Sequence, residues 1–201
     1  MKNVMNNSKK VFLMVALLAT VMGYANDKSF FTLKNEANKT VLTLTHVKAG
    51  NLVSIKDESG IVLYKETIQQ AGVYKKGFDF SNLADGKYFL EVNKDVEIDI
   101  APFSVKDKKV SFDDEKSETI FKPVTILKGD KVFITKLALH NEALDIQVYF
   151  DNNDANGYDL IHSESIAGPK NIERIFQIEN FKKGSYKIVY KTQGRLFVEY
   201  I

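Results

Sequence analysis

His46, His140 and His162 are the only histidines of the chain, and each falls in a different stretch. A metal site needs ligands that converge, and no two of these histidines share the i, i+4 spacing that would bring them to one helix face. Cysteine is absent. Disulfides, thiolate nucleophiles, cysteine-ligated metal and a lipid-accepting cysteine behind a leader are therefore excluded together. Serine and threonine nucleophiles lack a G-x-S-x-G elbow or an equivalent local arrangement. No catalytic residue, metal site or cofactor is expected, and the chain does not read as an enzyme.

The most polar loop is Asp151-Asn-Asn-Asp154-Ala-Asn156-Gly157-Tyr-Asp159. Read from Asn152, it places oxygen side chains at positions 1, 3 and 5 and glycine at 6, the pattern of a calcium loop. Position 1 is Asn and position 12 is Ser163, so the carboxylate count is low and a long hairpin turn is the expectation. Glu97 and Asp99 alternate with Val96, Ile98 and Ile100 and read as a solvated acidic stripe on one strand face. With Trp absent and the tyrosines mostly interleaved with core positions, an aromatic sugar platform is the second choice.

Such residues have to be positioned by strands. From Phe30 to Phe112 apolar residues alternate, as in Val53/Ile55, Tyr88/Leu90/Val92 and Ile98/Ile100, which is strand periodicity. Breaks fall at Ala49-Gly50-Asn51, Asp57-Glu-Ser-Gly60, Ala71-Gly72, Ala84-Asp85-Gly86 and Asn93-Lys94-Asp95, where turns need them. Asp113-Asp-Glu-Lys-Ser-Glu-Thr119 carries no large apolar residue and reads as a linker. The pattern then restarts with Val124/Ile126, Val132/Ile134, Leu137/Leu139, Ile146/Val148/Phe150 and Leu196/Val198/Tyr200. Short helical turns are expected only at residues 138–143 and 171–174.

Phe80-Ser-Asn-Leu83-Ala-Asp-Gly86-Lys-Tyr88-Phe-Leu90-Glu-Val92 returns in looser form as Ile178-Glu-Asn-Phe181-Lys-Lys-Gly184-Ser-Tyr186-Lys-Ile188-Val-Tyr190. Each reads as a turn feeding a strand, with the glycine at a backbone reversal or at positive φ. An offset of 98 superposes Phe78 on Phe176, Tyr88 on Tyr186 and Leu90 on Ile188, while Val53 meets Ile146 at 93. Burial class is preserved where identity is not, the mark of a structural repeat. The second copy's hairpin loop is longer by about four residues, as insertions in loops are tolerated.

The stretch Asp57-Glu-Ser-Gly60-Ile-Val-Leu63-Tyr, followed by Leu83-Ala-Asp-Gly86-Lys-Tyr88-Phe-Leu90-Glu-Val92, resembles the immunoglobulin-like domains of secreted Bacteroidetes proteins. Among these is the sorting domain of type IX secretion cargo. The family pairs a D-x-x-G-x-x-V hairpin with a later L-x-x-G-x-Y-x-L-x-V strand, and the resemblance covers residues 53 to 92 of the first module and the second in outline. It implies an immunoglobulin-like sandwich in an exported protein. The motifs encode a turn and a buried strand, so they speak to fold and not to function.

Lys2, Lys9 and Lys10 precede the apolar run Val11 to Met22 and then Gly23-Tyr24-Ala25. This reads as a secretory signal peptide, residues 1–25, too short in its apolar run to span a membrane. Its loss takes three lysines and no acid, turning the formal charge of +2 into −1. A near-neutral mature chain offers no electrostatic footprint for nucleic acid.

The expected architecture is all-β: two tandem immunoglobulin-like antiparallel β-sandwich domains after a cleaved signal peptide, with module 1 at 27–112, a linker at 113–119 and module 2 at 120–201. A transmembrane β-barrel is the rival, which a two-fold repeat disfavours. The expected function is non-enzymatic adhesion, assembly or scaffolding through sheet edges and loops, in the periplasm, on the cell surface or outside the cell. A protein partner in the cell envelope is the first partner class and a glycan the second, the latter making the chain a small carbohydrate-binding module. No nucleic acid and no lipid anchor are expected.

Overall fold

The computed structural model describes residues 31–36, 39–80, 82–113, 116–151, 157–178 and 184–201. The expected signal peptide, residues 1–25, lies outside the described residues. Among the described residues sixteen strands follow one another. The first eight are β1 (Phe31–Glu36), β2 (Lys39–Val47), β3 (Leu52–Asp57), β4 (Val62–Thr67), β5 (Gly72–Phe78), β6 (Gly86–Asn93), β7 (Glu97–Lys106) and β8 (Lys109–Phe112). Then come β9 (Glu118–Phe121), β10 (Val124–Lys128), β11 (Lys131–Leu137), β12 (Leu144–Asp151), β13 (Asp159–Ile166), β14 (Asn171–Gln177), β15 (Ser185–Thr192) and β16 (Arg195–Tyr200).

These strands form two antiparallel sandwiches of immunoglobulin-like type, with one wiring used twice. In the first, the sheet β1-β2-β5 faces β4-β3-β6-β7-β8; in the second, β10-β11-β14 faces β13-β12-β15-β16. Among the described residues each sheet ends in open strands, unlike a closed barrel. The ladders make the repeat quantitative. Val53 pairs with Val92 as Ile146 pairs with Tyr190, and Thr40 pairs with Phe78 as Val132 pairs with Phe176. The offsets are 92 for β1 and β2, 93 for β3 and 98 from β4 onward, so the longer hairpin loop of the second module has five extra residues. A bulge follows Ile55 in one module and Val148 in the other, the same place in both.

Period-two alternation builds one core per module. Leu42, Leu44, Val53, Ile55, Leu90, Val92 and Phe103 fill the first, and Val132, Ile134, Leu144, Ile146, Ile188 and Tyr190 the second. Without tryptophan, the first core carries an aromatic run: Phe80 lies 4.9 Å from Phe103, which lies 5.4 Å from Tyr88 and 5.1 Å from Phe112. The Tyr88 hydroxyl donates to the Ala84 carbonyl at 2.7 Å. That is the tyrosine corner of immunoglobulin-like sandwiches, and it gives the physical meaning of the G-x-Y element in the sequence. In the second module the Tyr190 hydroxyl lies 2.5 Å from Thr125 Oγ1, tying the two sheets together, and burial pushes its pKa up to about 12.

Several local expectations change. Residues 171–174 open β14 rather than a helical turn, because Ile172, Arg174 and Phe176 alternate and pair with β11. Leu139 lies beyond the end of β11 in a turn and is exposed. Gly86 starts β6 without a positive φ, whereas Gly60 takes φ 85° in its turn. There the Asp57 carboxylate accepts from the backbone N–H groups of Ser59 and Ile61, both at 2.9 Å. Glu118 and Thr119, expected in the linker, belong to β9, which pairs with β7 of the first sandwich.

Candidate interaction surfaces

The three histidines do not meet. His46 sits at φ 57° where the β2–β5 ladder shifts register, His140 in the turn after β11, and His162 on β13. Among the described residues no group of three or more His, Asp or Glu side chains is placed to hold a metal ion. The core of the calcium-like loop, residues 152–156, lies outside the described residues.

His162 belongs instead to a clasp present once per module. At the open side of the first sandwich, Glu66 Oε2 on β4 accepts from Lys76 Nζ at 2.5 Å and Tyr74 OH at 3.0 Å, both on β5, and from Tyr64 OH on its own strand. Tyr64 meets Phe78 edge-on at 5.2 Å. An offset of 98 converts Tyr64, Glu66, Lys76 and Phe78 into His162, Glu164, Arg174 and Phe176, while Tyr74 becomes Ile172. Arg174 Nε donates to Glu164 at 3.0 Å, and His162 meets Phe176 edge-on at 5.2 Å. The hydrogen bond from Lys76, then that from Tyr64, lowers the Glu66 pKa to about 2. Burial beside this carboxylate pushes the Tyr74 phenol up. The same offset run upstream to β4 aligns Glu66 with Glu164 and Lys76 with Arg174 in the sequence, though not the contact between them.

The acidic stripe on β7 departs from expectation. Glu97 and Asp99 share the inward face with Ala101, Phe103 and Val105, and Asp99 is only 7% exposed. Lys94 Nζ lies 2.6 Å from Asp99 Oδ2 and pairs with Glu97 as well, and Thr119 Oγ1 donates to Asp99 at 2.8 Å. Ile98 and Ile100 point to the outer face, yet they are 3% and 6% exposed, because Ile120 of β9, Phe89 and Phe197 cover them. Beside them Glu91, on the outer face of β6, accepts from Arg195 Nη2 at 2.5 Å and from Lys56 Nζ at 2.6 Å. Burial would raise the Glu91 pKa, but the hydrogen bonds from Arg195 and Lys56 outweigh it and hold the carboxyl below its usual range.

The larger sheet of the first module is therefore covered by its own core on one face and, around Ile98 and Ile100, by Phe197 of β16 on the other, while β9 extends its edge and adds Ile120 to the same patch. Fully burying an aliphatic side chain contributes roughly 1.5–3 kcal/mol, whereas a buried ion pair offsets much of its Coulomb gain by desolvation, so the three isoleucines are the main adhesive of this patch. A cavity of about 330 Å³ opens at this junction, lined by Val96, Lys122, Val124, Lys136 and Ile172 among others. Lys136 is 3% exposed, donates to the Leu137 carbonyl at 3.1 Å, and stands where the first module has Leu44. Desolvation lowers the pKa of Lys136 and of Lys122.

Exposed apolar residues gather on end strands. On β4 Val62 and Leu63 are 49% and 47% exposed, and their equivalents on β13, Leu160 and Ile161, are 52% and 55% exposed. On the outer face of β16 Leu196, Val198 and Tyr200 are exposed. Across the same face Lys187 Nζ sits 4.5 Å from the Tyr149 ring and 4.7 Å from Tyr158, whose ring lies 6.2 Å from Tyr200. Next to this group a hollow of about 380 Å³ is lined by Asp145, Gln147, Ser163, Ser165 and Lys191, among others.

No family model and no curated protein matches the chain. Among solved structures, the chain is similar to the human OSCAR ligand-binding domain at 8% identity and a TM-score of 0.25, over 86% of this chain and 96% of that one. A structure of the receptor tyrosine kinase Torso, solved for its neurohormone perception, is similar at 9% identity and a TM-score of 0.22, over 89% of this chain and 74% of that one. No helix among the described residues is long and apolar enough to cross a membrane.

Proposed function

We propose that the protein is a non-enzymatic, exported binding protein that works in adhesion, assembly or scaffolding in the cell envelope, through the edges of its sandwiches. The observation that carries this is the repeated apolar edge: Val62 and Leu63 on one module, Leu160 and Ile161 at the equivalent place on the other. End strands of soluble sandwiches ordinarily blunt their edges with charge, since a bare edge accepts a partner strand. Here branched aliphatics stand on the edge in both modules. Export rests on the lysine-flanked apolar leader and on the resemblance of residues 53 to 92 to modules of secreted proteins.

The experiment compares the wild-type protein with a Val62→Lys, Leu160→Lys variant as bait in an envelope extract, beside a glycan array. A protein partner captured by the wild type and lost in the variant supports the proposal. Partner capture that ignores both substitutions refutes the edges as the binding element. A glycan reading is the second choice, favoured by Tyr149, Tyr158 and Tyr200 around Lys187 beside a polar hollow. Saccharide binding without a protein partner would put it first.

A further inference from the structure

The ladders place β16 of the second module where β7 stands in the first. Leu90 pairs with Ala101 as Ile188 pairs with Glu199, which makes Leu196 the counterpart of Ile98 and Val198 that of Ile100. Their surroundings differ. The outer edge of β7 carries β8 along Phe103–Lys106 and β9 along Glu97–Ile100. Among the described residues β16 is paired in a ladder with β15 alone. Ile98 and Ile100 are 3% and 6% exposed, whereas Leu196 and Val198 are 69% and 45% exposed. Within one chain, then, the same edge is closed by an added antiparallel strand in one module and left open in the other.

What would close it is written in the strand itself. Arg195-Leu-Phe197-Val-Glu199, paired antiparallel with an identical strand about Phe197, sets Arg195 opposite Glu199 at both ends and Leu196 opposite Val198 between them. Opposite charges and apolar pairs directly across an antiparallel ladder are both favourable, and a two-fold axis repeats each pair. Arg195 already bonds Glu91 through Nη1 and Nη2, but a guanidinium carries five N–H donors, which leaves capacity for a carboxylate across the seam.

We propose that a second copy of this chain adds to the free edge of β16, antiparallel about Phe197, so that two four-stranded sheets continue as one. The proposal stands on the geometry of β16 and is independent of export or of any other partner. Leu196, Val198 and Glu199 are exposed in the monomer, so they can be changed without touching either core.

Sedimentation velocity of the purified protein over a concentration series tests it. An edge contact of this modest size should give a reversible dimer with a dissociation constant of about 1–100 µM. Val198→Lys, which sets lysine against Leu196, and Glu199→Lys, which sets lysine against Arg195, should each weaken the dimer by about tenfold or more. Val73→Lys, at a 71% exposed site on β5, should leave it unchanged. A monomer at every concentration overturns the proposal, including one that instead binds an extended peptide or a glycan on this face. So does a dimer that persists in both β16 variants. Thermal melts of the variants, expected to match the wild type measured as a monomer, separate loss of association from loss of fold.

Discussion

Arg174 donates through Nε to Glu164 at 3.0 Å in the second module at the place where Lys76 meets Glu66 in the first. The carboxylate is glutamate both times, on β4 and on β13, while the cation and the neighbouring ring change: Lys to Arg, and Tyr64 to His162. Each clasp closes the open side of a sandwich between the ends of its two sheets, where no backbone hydrogen bond can. The repeat therefore extends beyond backbone wiring to a specific polar contact.

Glu66 should titrate near pH 2. Its pKa is lowered from 4.5 to about 2 by Lys76 first and Tyr64 next. A carboxylate depressed in the folded state adds stability that is fully present above its unfolded pKa and is lost as the pH falls through the folded one. The difference in melting temperature between wild type and Glu66→Gln should be greatest above about pH 5, shrink as the pH falls and vanish only below about pH 2. The side chain is 36% exposed, so solvent screening keeps the contribution under about 1 kcal/mol. A carboxyl resonance of Glu66 that titrates at the ordinary value would refute the clasp as drawn.

The alternation of Tyr88, Leu90 and Val92 and the offset of 98 were legible in the sequence because turns and period-two burial are local. Which face of β7 lies inward was not. Glu97 and Asp99 look like a solvent face and Ile98 and Ile100 like a core face, yet Asp99 is inside and both isoleucines lie beside Ile120 of β9 and under Phe197 of β16. Periodicity registers that two faces differ but carries no sign when both are covered. Lys136 escaped for a related reason: in Lys131-Val-Phe-Ile-Thr-Lys-Leu137 a lysine reads as outward, although its register position is that of Leu44. The clasps join residues ten apart across different sheets, beyond the reach of a local motif.

Trypsin should cut first after Lys116. That side chain is 76% exposed, and the next basic residue, Lys122, precedes Pro123. We expect two resistant fragments, one per sandwich, that stay associated after the cut. The second fragment keeps β9, whose Ile120 lies against Ile98 of the first, and Arg195 still reaches Glu91. Arg195→Ala leaves Glu91, with 8% side-chain exposure, to Lys56 alone, and should cost about 2 kcal/mol. The fragments of this variant should separate on gel filtration while those of the wild type co-elute. Co-elution of both sets would show that Arg195 is dispensable at the junction.

Lys136→Met should stabilise the protein by about 1 kcal/mol at neutral pH, since desolvation of this buried charge outweighs its attraction to the more distant Glu142 and a thioether there needs no such compensation. Desolvation lowers the folded-state pKa of Lys136 from 10.5. The unfolded chain then holds the extra proton, and wild-type stability rises as the pH climbs from the lowered value toward 10.5. The advantage of the variant should shrink over that window. Chemical denaturation at pH 7 and pH 10 makes the comparison, and an advantage that does not change with pH would assign the effect to packing alone.

The two glycines of the repeated motif should respond oppositely to the same change. A Cβ on Gly86 would lie 3.7 Å from the Tyr88 ring, an ordinary contact, in a strand residue whose φ suits any side chain. Alanine there reduces the freedom of the unfolded chain, and Gly86→Ala should be neutral or stabilising by about 0.5 kcal/mol. A Cβ on Gly184 would run into the Asp151 carbonyl and come within 2.6 Å of the Phe150 ring. The carbonyl belongs to the end of β12, where Asp151 pairs with Ser185, so backbone rather than a flexible tip would have to move. Gly184→Ala should therefore cost about 2 kcal/mol or more. Urea denaturation of the two single variants decides between them: equal effects would mean that both glycines serve the same turn, while a loss confined to Gly184→Ala assigns that position to close approach of two backbones.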